Sequence, residues 1–384
     1  MRLGALIPFE QVGETLAEFT GVEIGVETAR ALTERAGEVL VQGQAAEAEQ
    51  LRRECPAAPA GPEVQQVSVD GAMVPLVGGV WAEVKTLAVG TVERRKGAGG
   101  GEVAHTVGLS YFSRLCDAAE FAAAALPELH RRGIESAGEV CAVVDGAEWQ
   151  QRFVDSYRLD AIRILDFPHA AEHLASAAQV AFGPGTAETS DWLGHWLHEL
   201  KHGDPDRVLA AVRALPVRSE EARSVRDGVL SYLEKRRTQI TYAKFQAAGY
   251  PIGSGIVESA NKLVVEVRLK GSGMHWAREN VNPMLSLRCA LCSGRWDETW
   301  ALIWDGLRQQ QTQRRRLLRQ LRTPPPQPTK PTKPSPPPPT SAFPTLPKPP
   351  PKGTMINGRP TANHPWSGTR LSHKYPTSPT SAKS

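Results

Sequence analysis

The sequence predicts a mixed α/β fold in which helices cover both faces of one sheet. Three stretches between residues 63 and 112 alternate apolar and polar side chains, which is the period of a β-strand. Two further short apolar runs, near residues 140 and 161, each follow a helix-like stretch. Three consecutive strands favour an antiparallel meander. Helices and strands that then alternate favour further strands added to the same sheet in parallel.

The meander rests on three predicted strands that follow one another closely. Val-rich alternation marks each of them, and the Gly-rich string KGAGGG marks the turn ahead of the third. Short connections of this kind join antiparallel neighbours. The predicted strands are 63–74, 81–93 and 105–112.

Helices and strands alternate after the meander. A helix with a long Ala and Leu face is predicted over 113–132 and is closed by Gly133. A fourth strand over 140–144 follows, then a helix over 148–158 and a fifth strand over 161–165. This β-β-β-α-β-α-β order, continued by helices, is that of the ribonuclease H fold.

Two short helices are predicted ahead of the sheet, over 9–19 and 26–40. Their spacing is that of a helix-turn-helix, with Thr28, Arg30 and Arg35 on the second helix. Acidic residues on the same helix would repel phosphates. The pair is therefore either a DNA-contacting element or a plain helical pair that serves packing or dimerisation.

The rest of the chain divides by composition. Residues 44–63 are rich in Ala, Glu and Pro and are expected to end a helix and form a linker. The last 62 residues, rich in Pro, Lys, Thr and Ser, cannot bury a core. The predicted organisation is 1–60, an N-terminal helical, helix-turn-helix-like segment; 61–166, the first part of a catalytic core; 167–250, a helical insertion; 251–322, the last part of the core with basic helices; and 323–384, a disordered Pro-rich tail.

Charge and cysteine usage narrow the class of protein. The net charge of +4 is modest, but Arg and Lys concentrate in 207–237, 262–278 and 308–322, which favours a polyanionic partner. Five scattered cysteines favour free thiols, and Cys289 with Cys292 has no second pair to complete a zinc site. No apolar run reaches about 18 residues, so we expect a cytoplasmic, nucleoid-associated protein without a membrane partner.

Candidate catalytic carboxylates follow from the predicted topology. The first and fourth strands are neighbours in this fold, so Asp70 in VSVDGA and Asp145 in AVVDGA come side by side. Glu258, on a helix predicted to begin after Ser254, supplies a third carboxylate. Three converging carboxylates repel unless a hard cation lies between them, and Mg²⁺ prefers such oxygen ligands. Taken alone, each of the two Asp-Gly dipeptides is a weak signal, because this dipeptide more often forms a turn than contributes a catalytic carboxylate.

Asp166 complicates the assignment of the second ligand. It ends the fifth strand, and His169 and His173 follow at spacings that share one helical face. Asp166 can cap the following helix, support Asp145 from behind, or replace it as a metal ligand. All three alternatives remain open from the sequence.

The segment Gly249–Met284 combines Glu258 with phosphate-binding chemistry. Basic and aromatic side chains follow the acid closely, as expected where DNA backbone is held. In the insertion, Trp192 and Trp196 lie one turn apart and are either core residues or base-stacking residues. The predicted DNA-binding residues are Lys262, Arg268, Lys270, His275, Trp276 and Arg278.

Several strings resemble those of bacterial insertion-sequence transposases of the ISKra group, a DDE-type family. The resemblance covers nearly the whole chain, and the segment from 249 to 300 is specific enough to carry it. Members as a rule have more sequence before the helix-turn-helix-like segment, so the resemblance implies an N-terminally truncated copy. The strings are SVDGAMV, VVDGAEW, ILDFPHAAEHL, GYPIGSGIVESANK, RLKGSGMHWARENVNPMLSLR, RWDETW and NGRPTANHPW.

The resemblance implies a function. Asp70, Asp145 and Glu258 would form the DDE triad and hold two Mg²⁺ ions, which Mn²⁺ can replace. The activity would be Mg²⁺-dependent cleavage and strand transfer at transposon ends and target DNA, by a homo-oligomer in the DNA complex. The alternatives are a ribonuclease H-like nuclease without strand transfer and a catalytically inactive DNA-binding remnant of a transposase.

Overall fold

The structure is a computed structural model that describes residues 1–97, 100–322, 355–356 and 359–360. The chain divides into two units, Met1–Arg322 and Thr323–Ser384. Most of the predicted tail, 323–384, lies outside the described residues. The described part of the tail is a pair of two-residue antiparallel strands, Met355–Ile356 and Arg359–Pro360. At these four residues the prediction of a disordered tail does not hold.

A five-stranded mixed sheet organises the first unit, which is therefore a mixed α/β structure as predicted. The strand order is β3-β2-β1-β4-β5, with antiparallel pairing among the first three strands of the chain and parallel pairing of β1 with β4 and β4 with β5. Every predicted strand is present within a few residues of its expected bounds. The strands are β1 (Val64–Pro75), β2 (Trp81–Lys96), β3 (Glu102–Arg114), β4 (Glu139–Val144) and β5 (Ile162–Leu165).

Helices cover both faces of this sheet, which explains the composition of β4. Val140, Ala142 and Val144 pack with one group of helices, whereas Cys141 and Val143 pack with another. Successive side chains of a strand point to opposite faces, so a strand covered on both faces reads as a continuous apolar run. That is why the sequence of β4 shows no alternation.

The helices of the first unit follow the predicted order with shifted ends. The largest difference is α3, which continues through the region expected to be a helix end and linker, because Ala, Glu and Gln there are good helix formers. The helix predicted from residue 113 begins later, since Asp117 caps it and β3 takes the preceding residues. The helices before β5 are α1 (Arg2–Leu6), α2 (Phe9–Thr20), α3 (Val26–Glu54), α4 (Ala118–Arg131) and α5 (Glu148–Asp155).

The region 167–250 is helical, as the sequence predicts. Trp192 and Trp196 are half-buried against its apolar core, which favours their interpretation as packing residues. The helices are α6 (Phe167–Phe182), α7 (Ala187–His202), α8 (Pro205–Arg213), α9 (Glu220–Lys235) and α10 (Tyr242–Ala248).

The chain then returns to the sheet through a helix with a π-helical segment at its centre. Such segments are rare and often occur at functional sites. The elements are α11 (Gly255–Ala260), the π-helical segment (Asn261–Glu266), α12 (Val267–Leu269), α13 (Arg278–Cys292) and α14 (Trp296–Arg322).

The N-terminal helices pack within this unit, on α13 and α14. Of the would-be recognition residues, Arg30 pairs with Glu27 at 3.3 Å, and Arg35 Nε donates to Gln310 Oε1 at 3.2 Å. Their guanidinium groups therefore have partners inside the chain. The packing favours a plain helical pair over a DNA-reading helix.

Two residues expected to bind DNA are core residues instead, which corrects the assignment of Arg268 and Trp276. Arg268 is 2% exposed, with its guanidinium 4.6 Å from the Phe9 ring centroid and 5.1 Å from that of Trp276. Its Nε donates to the Gly4 carbonyl at 3.0 Å. Burial lowers the pKa of Arg268 to about 10. These contacts fasten α1 and α2 to the end of α12.

The cysteines are free, as predicted, and Cys289 lies in the core with Cys292 packed beside it. Within the part of the chain that the structure describes, no helix is both long enough and apolar enough to cross a membrane.

Candidate active site

The register of the sheet brings the predicted catalytic aspartates to the same level. Val67 of β1 pairs with Ala142 of β4 in the parallel ladder. Continuing that register by three residues places Asp70 beside Asp145. Since side chains alternate along a strand, the two carboxylates also belong to the same face of the sheet.

The same register extends to Asp166. Val144 pairs with Leu165, so the next residues, Asp145 and Asp166, are level, and Asp166 N donates to the Val144 carbonyl at 2.8 Å. Three aspartates on three neighbouring strands therefore stand in one row. The row lies at the carboxyl ends of β4 and β5, where open α/β sheets usually bind their ligands.

Asp70 is held by two hydrogen bonds. Its Oδ1 accepts from Gly71 N at 2.7 Å, and its Oδ2 accepts from Asn261 Nδ2 at 2.8 Å. Asn261 is the first residue of the π-helical segment, so this contact ties β1 to the helix of Glu258. Asn261 Oδ1 is buried without a hydrogen-bond partner.

Asp145 begins a turn that the helical insertion clamps. Its side chain accepts from Ala147 N at 2.8 Å, and its carbonyl accepts from the Tyr232 hydroxyl. Arg236 Nη2 donates to the Gly146 carbonyl at 2.5 Å. Gly146 has a φ of +86°, and an added Cβ would collide with Arg236 Nε. Glycine is therefore required after Asp145, both for the backbone conformation and for the close approach of α9.

Asp166 caps α6, and it also holds the start of the Glu258 helix. Its Oδ2 accepts from His169 N at 3.0 Å, and its Oδ1 accepts from Ser254 N at 2.6 Å. The side chain is 4% exposed. Both oxygens are thus committed to backbone N–H groups. The capping interpretation is confirmed, and the bond to Ser254 joins Asp166 to the start of the Glu258 helix.

Glu258 is the exposed member of the set and the least restrained. Its helix begins at Gly255, as predicted, but Ser254 makes no capping bond to the backbone. Instead Ser254 Oγ lies 3.4 Å from Glu258 Oε1. With one long hydrogen bond and three side-chain torsions, Glu258 is free to swing over the aspartates.

One cavity of about 160 Å³ collects these side chains; we call it the carboxylate cavity. Besides its acids it is lined by Gln150, His169 and Ser254. The described residues contain no group of three His, Cys, Asp or Glu side chains already arranged to hold an ion. Side-chain rotation, most simply of Glu258, is therefore needed before three carboxylates can share one. The acids lining the carboxylate cavity are Asp70, Asp145, Asp166, Glu172 and Glu258.

The donor chemistry of the carboxylate cavity fits Mg²⁺. Carboxylate oxygens are the ligands this cation prefers, and no thiol lines the cavity. Burial raises the pKa of Asp70 above its ordinary value, and the negative charges of Asp145 and Glu258 raise it further. Hydrogen bonds from Gly71 and Asn261 oppose this rise. A buried aspartate facing like charges is a group that a cation would stabilise.

The raised pKa of Asp70 leads to a prediction for Asp70→Asn. Over the pH range above the ordinary pKa of aspartate, folded Asp70 keeps its proton longer than the unfolded chain does, so the free energy of unfolding falls as pH rises. Asparagine removes this cost and keeps the hydrogen bonds, because a flipped Asn261 amide can accept through its unpartnered Oδ1. In metal-free buffer at pH 7 the variant should melt above the parent.

The gain should shrink as the pH is lowered through the raised pKa of folded Asp70, and it should vanish below about pH 4, the ordinary pKa of aspartate, because the carboxyl is then protonated in both states. Adding Mg²⁺ should raise the melting temperature of the parent and leave that of Asp70→Asn unchanged. Thermal melts at several pH values, each with and without Mg²⁺, check both statements. A variant that melts below the parent at every pH would show that ionised Asp70 does not destabilise the folded protein.

The predicted DNA-binding residues separate into buried and exposed sets. Lys262, His275 and Arg278 are exposed and remain candidates. Lys270 Nζ is 2.8 Å from Glu266 Oε1, so its charge is partly neutralised within the helix. Arg268 and Trp276 belong to the core, as described above.

The sequence argument did not assign a role to Asn261, Gln150, Tyr232 or Arg236. Asn261 stands one helical turn after Glu258, and that spacing was a signal that it shares the face of the acid. Gln150 is buried in the cavity wall, with Oε1 unpartnered. Tyr232 and Arg236 reach the Asp145 turn from 87 and 90 residues away, so no local pattern could have found them.

Two histidines and a tyrosine pack together where His169 lines the carboxylate cavity, the histidine rings edge to face. The rings of His169 and His173 are 4.8 Å apart, and His173 stacks on Tyr232 at 4.0 Å. Burial lowers the pKa of His173 and raises that of Tyr232 to about 12, so these two stacked rings are neutral at physiological pH. His173 packs behind the Asp145 turn and supports Tyr232.

No protein-family model matches the chain, and no curated protein matches it.

Proposed function

We propose that the protein is a DDE-type transposase with a ribonuclease H-like core, in which Asp70, Asp145 and Glu258 are the catalytic carboxylates. The strand order β3-β2-β1-β4-β5, with β1 and β4 parallel, supports the fold. One observation carries the function: Asp70 and Asp145 are level on neighbouring strands, and Glu258 lines the same cavity from the helix that follows the insertion.

The three carboxylates would hold two Mg²⁺ ions, which Mn²⁺ can replace. When bound, the cations polarise a phosphoryl oxygen and offset the charge that develops at phosphorus. Asn261 and Gly71 hold the Asp70 carboxylate in place, and Ala147 does the same for Asp145. Asp166 fixes the entry to the Glu258 helix through Ser254 N, so it acts as a positioning residue.

The proposed substrate is DNA, as transposon ends and as target. A polyanion suits the site because two kinds of charged residue occur there. Acids that could bind metal ions line the cavity, and the exposed basic side chains of Lys262, His275 and Arg278 follow Glu258 along the chain. The exposed Lys262 and Arg278 would contact the DNA backbone, and the proposed metal ions would neutralise the acids. In the DNA complex the chain would act as a homo-oligomer, in the cytoplasm and in association with the nucleoid.

The function is tested by incubating the full chain with a labelled duplex that carries the ends of its own insertion sequence. We expect cleavage with Mg²⁺ or Mn²⁺ and none with EDTA, followed by joining of the cut strand to an unlabelled target duplex. Cleavage without joining would make the protein a nuclease. Binding without cleavage under any metal would make it an inactive remnant and would refute the proposal.

A further inference from the structure

A second cavity, of about 260 Å³, lies on the other side of the Asp145 turn. It is lined by Gly146, by the first turns of α5 and by the end of α9 with the residues that follow it. Three of its lining side chains are cationic: Arg152, Lys235 and Arg236. We call it the basic cavity.

The basic cavity and the carboxylate cavity share a wall. Asp145 lines the carboxylate cavity, and the next residue, Gly146, lines the basic cavity. On α5, Gln150 faces the first and Gln151 the second. The two cavities are therefore neighbours, separated by the Asp145 turn and by α5.

The positive charge in the basic cavity is only partly neutralised. Lys235 Nζ is 3.6 Å from Glu148 Oε1, an exposed pair that water screens strongly. Among the described residues, the Arg152 side chain has no hydrogen-bond or ion-pair partner. Arg236 is fixed, since it bonds the Gly146 carbonyl and lies 3.8 Å from the Tyr232 ring centroid.

Two amide side chains, each with one unpartnered polar atom, line the same space. Gln151 Nε2 and Gln239 Oε1 are buried and make no hydrogen bond. The oxygen and nitrogen of such an amide are interchangeable by a flip, so Gln239 can also present its NH₂ group. Guanidinium, ammonium and amide donors gathered around one small space match the oxygens of a phosphate.

We propose that the basic cavity binds a backbone phosphate of the DNA strand, next to the phosphate that reacts in the carboxylate cavity. This proposal deepens the proposed function and rests on it for the identity of the strand. Arg152 and Lys235 contact the phosphate directly. Arg236 couples it to Gly146, and through that turn to the position of Asp145.

The test measures binding of a fluorescein-labelled DNA duplex in EDTA, where no cleavage occurs, as a function of salt concentration. The double variant Arg152→Gln/Lys235→Gln removes two exposed cations and leaves Arg236 and the turn intact. We expect weaker binding and a salt dependence that is smaller by about one phosphate contact, or roughly 0.9 in the slope of log K against log salt.

A matched control exists on the same insertion. Arg218→Gln/Arg223→Gln also removes two exposed cations, one of which, Arg223, is 3.7 Å from Glu220, much as Lys235 pairs with Glu148. This control should retain the parent slope. Unchanged thermal melts of both double variants would show that each is folded.

The outcomes separate this proposal from the proposed function. A slope for Arg152→Gln/Lys235→Gln equal to that of the parent, or an equal loss in the control, overturns the phosphate site whether or not the parent cuts DNA. A selective loss supports the site. If that loss is found while the parent fails to cut DNA with any metal, the phosphate site stands and the transposase assignment fails.

Discussion

Replacing Asp145 or Asp70 by asparagine should lower Mg²⁺-dependent cleavage by about a hundredfold or more, which corresponds to about 2.7 kcal/mol of the activation barrier. Each substitution removes one negative oxygen ligand and keeps the size of the side chain. Groups that act as a unit lose function non-additively, so the double variant should be little worse than either single variant. The measurement is the initial rate of cleavage of a labelled transposon-end duplex.

Asp160→Asn is the matched control for the loss of one carboxylate. Asp160 lies outside the carboxylate cavity, on the surface, and pairs with Arg158 at 2.7 Å. The control should cut at the parent rate. DNA binding by Asp70→Asn and Asp145→Asn should persist, because it depends on Lys and Arg contacts to phosphate. An Asp145 variant that cuts within about threefold of the parent rate would exclude this residue as a ligand, since threefold is under 1 kcal/mol in the barrier.

Asp166→Ala should cause the largest loss of stability expected for a residue of the site. The substitution leaves two backbone donors, the part-buried His169 N and the buried Ser254 N, without their carboxylate partner. Hydrogen bonds to a charged group contribute about 1.5–3 kcal/mol each, so the free energy of unfolding should fall by about 3 kcal/mol or more. Denaturant titration of the metal-free protein measures it.

The control for Asp166 is another capping aspartate, Asp204. Its side chain accepts from Asp206 N at the start of α8, at 3.0 Å, but it is exposed, so Asp204→Ala should cost only about 1 kcal/mol. Equal costs at the two positions would mean that the bond from Asp166 to Ser254 adds nothing. Asp166→Asn, which keeps one acceptor oxygen, should be intermediate in stability and should cut DNA at a reduced rate. A loss of cleavage as deep as that of Asp145→Asn would make Asp166 a ligand.

The sequence predicted the part of the site that depends on strand order. Asp70 lies within β1 and Asp145 directly follows β4, and the order of the elements predicted that these two strands are neighbours. The parallel register of β1 with β4 brings the two residues level, which the sequence could only assume. Gly146 is visible in the sequence, but only the structure shows which groups approach it closely, namely Arg236 and Tyr232.

Tertiary packing determined what the sequence could not predict. Nothing local distinguishes Arg268 from Lys262 in the same basic stretch, yet the first is buried between Phe9 and Trp276 and the second is exposed. Arg268 and Gly4 are 264 residues apart in the sequence, and helical periodicity cannot predict a contact over such a distance. The helix α3 extends beyond its predicted end to Glu54, because the Ala-, Glu- and Gln-rich residues 41–54 favour a helix.

Cleavage by Glu258→Gln, measured beside DNA binding by the same protein, tests the central claim most directly. Glu258 is exposed and makes only one long hydrogen bond, so glutamine should leave fold and stability unchanged. If Asp70, Asp145 and Glu258 act together on DNA, this variant should bind the labelled transposon end as the parent does and cut it at least about a hundredfold more slowly. Cleavage at the parent rate would contradict the assignment of the carboxylate cavity as the active site.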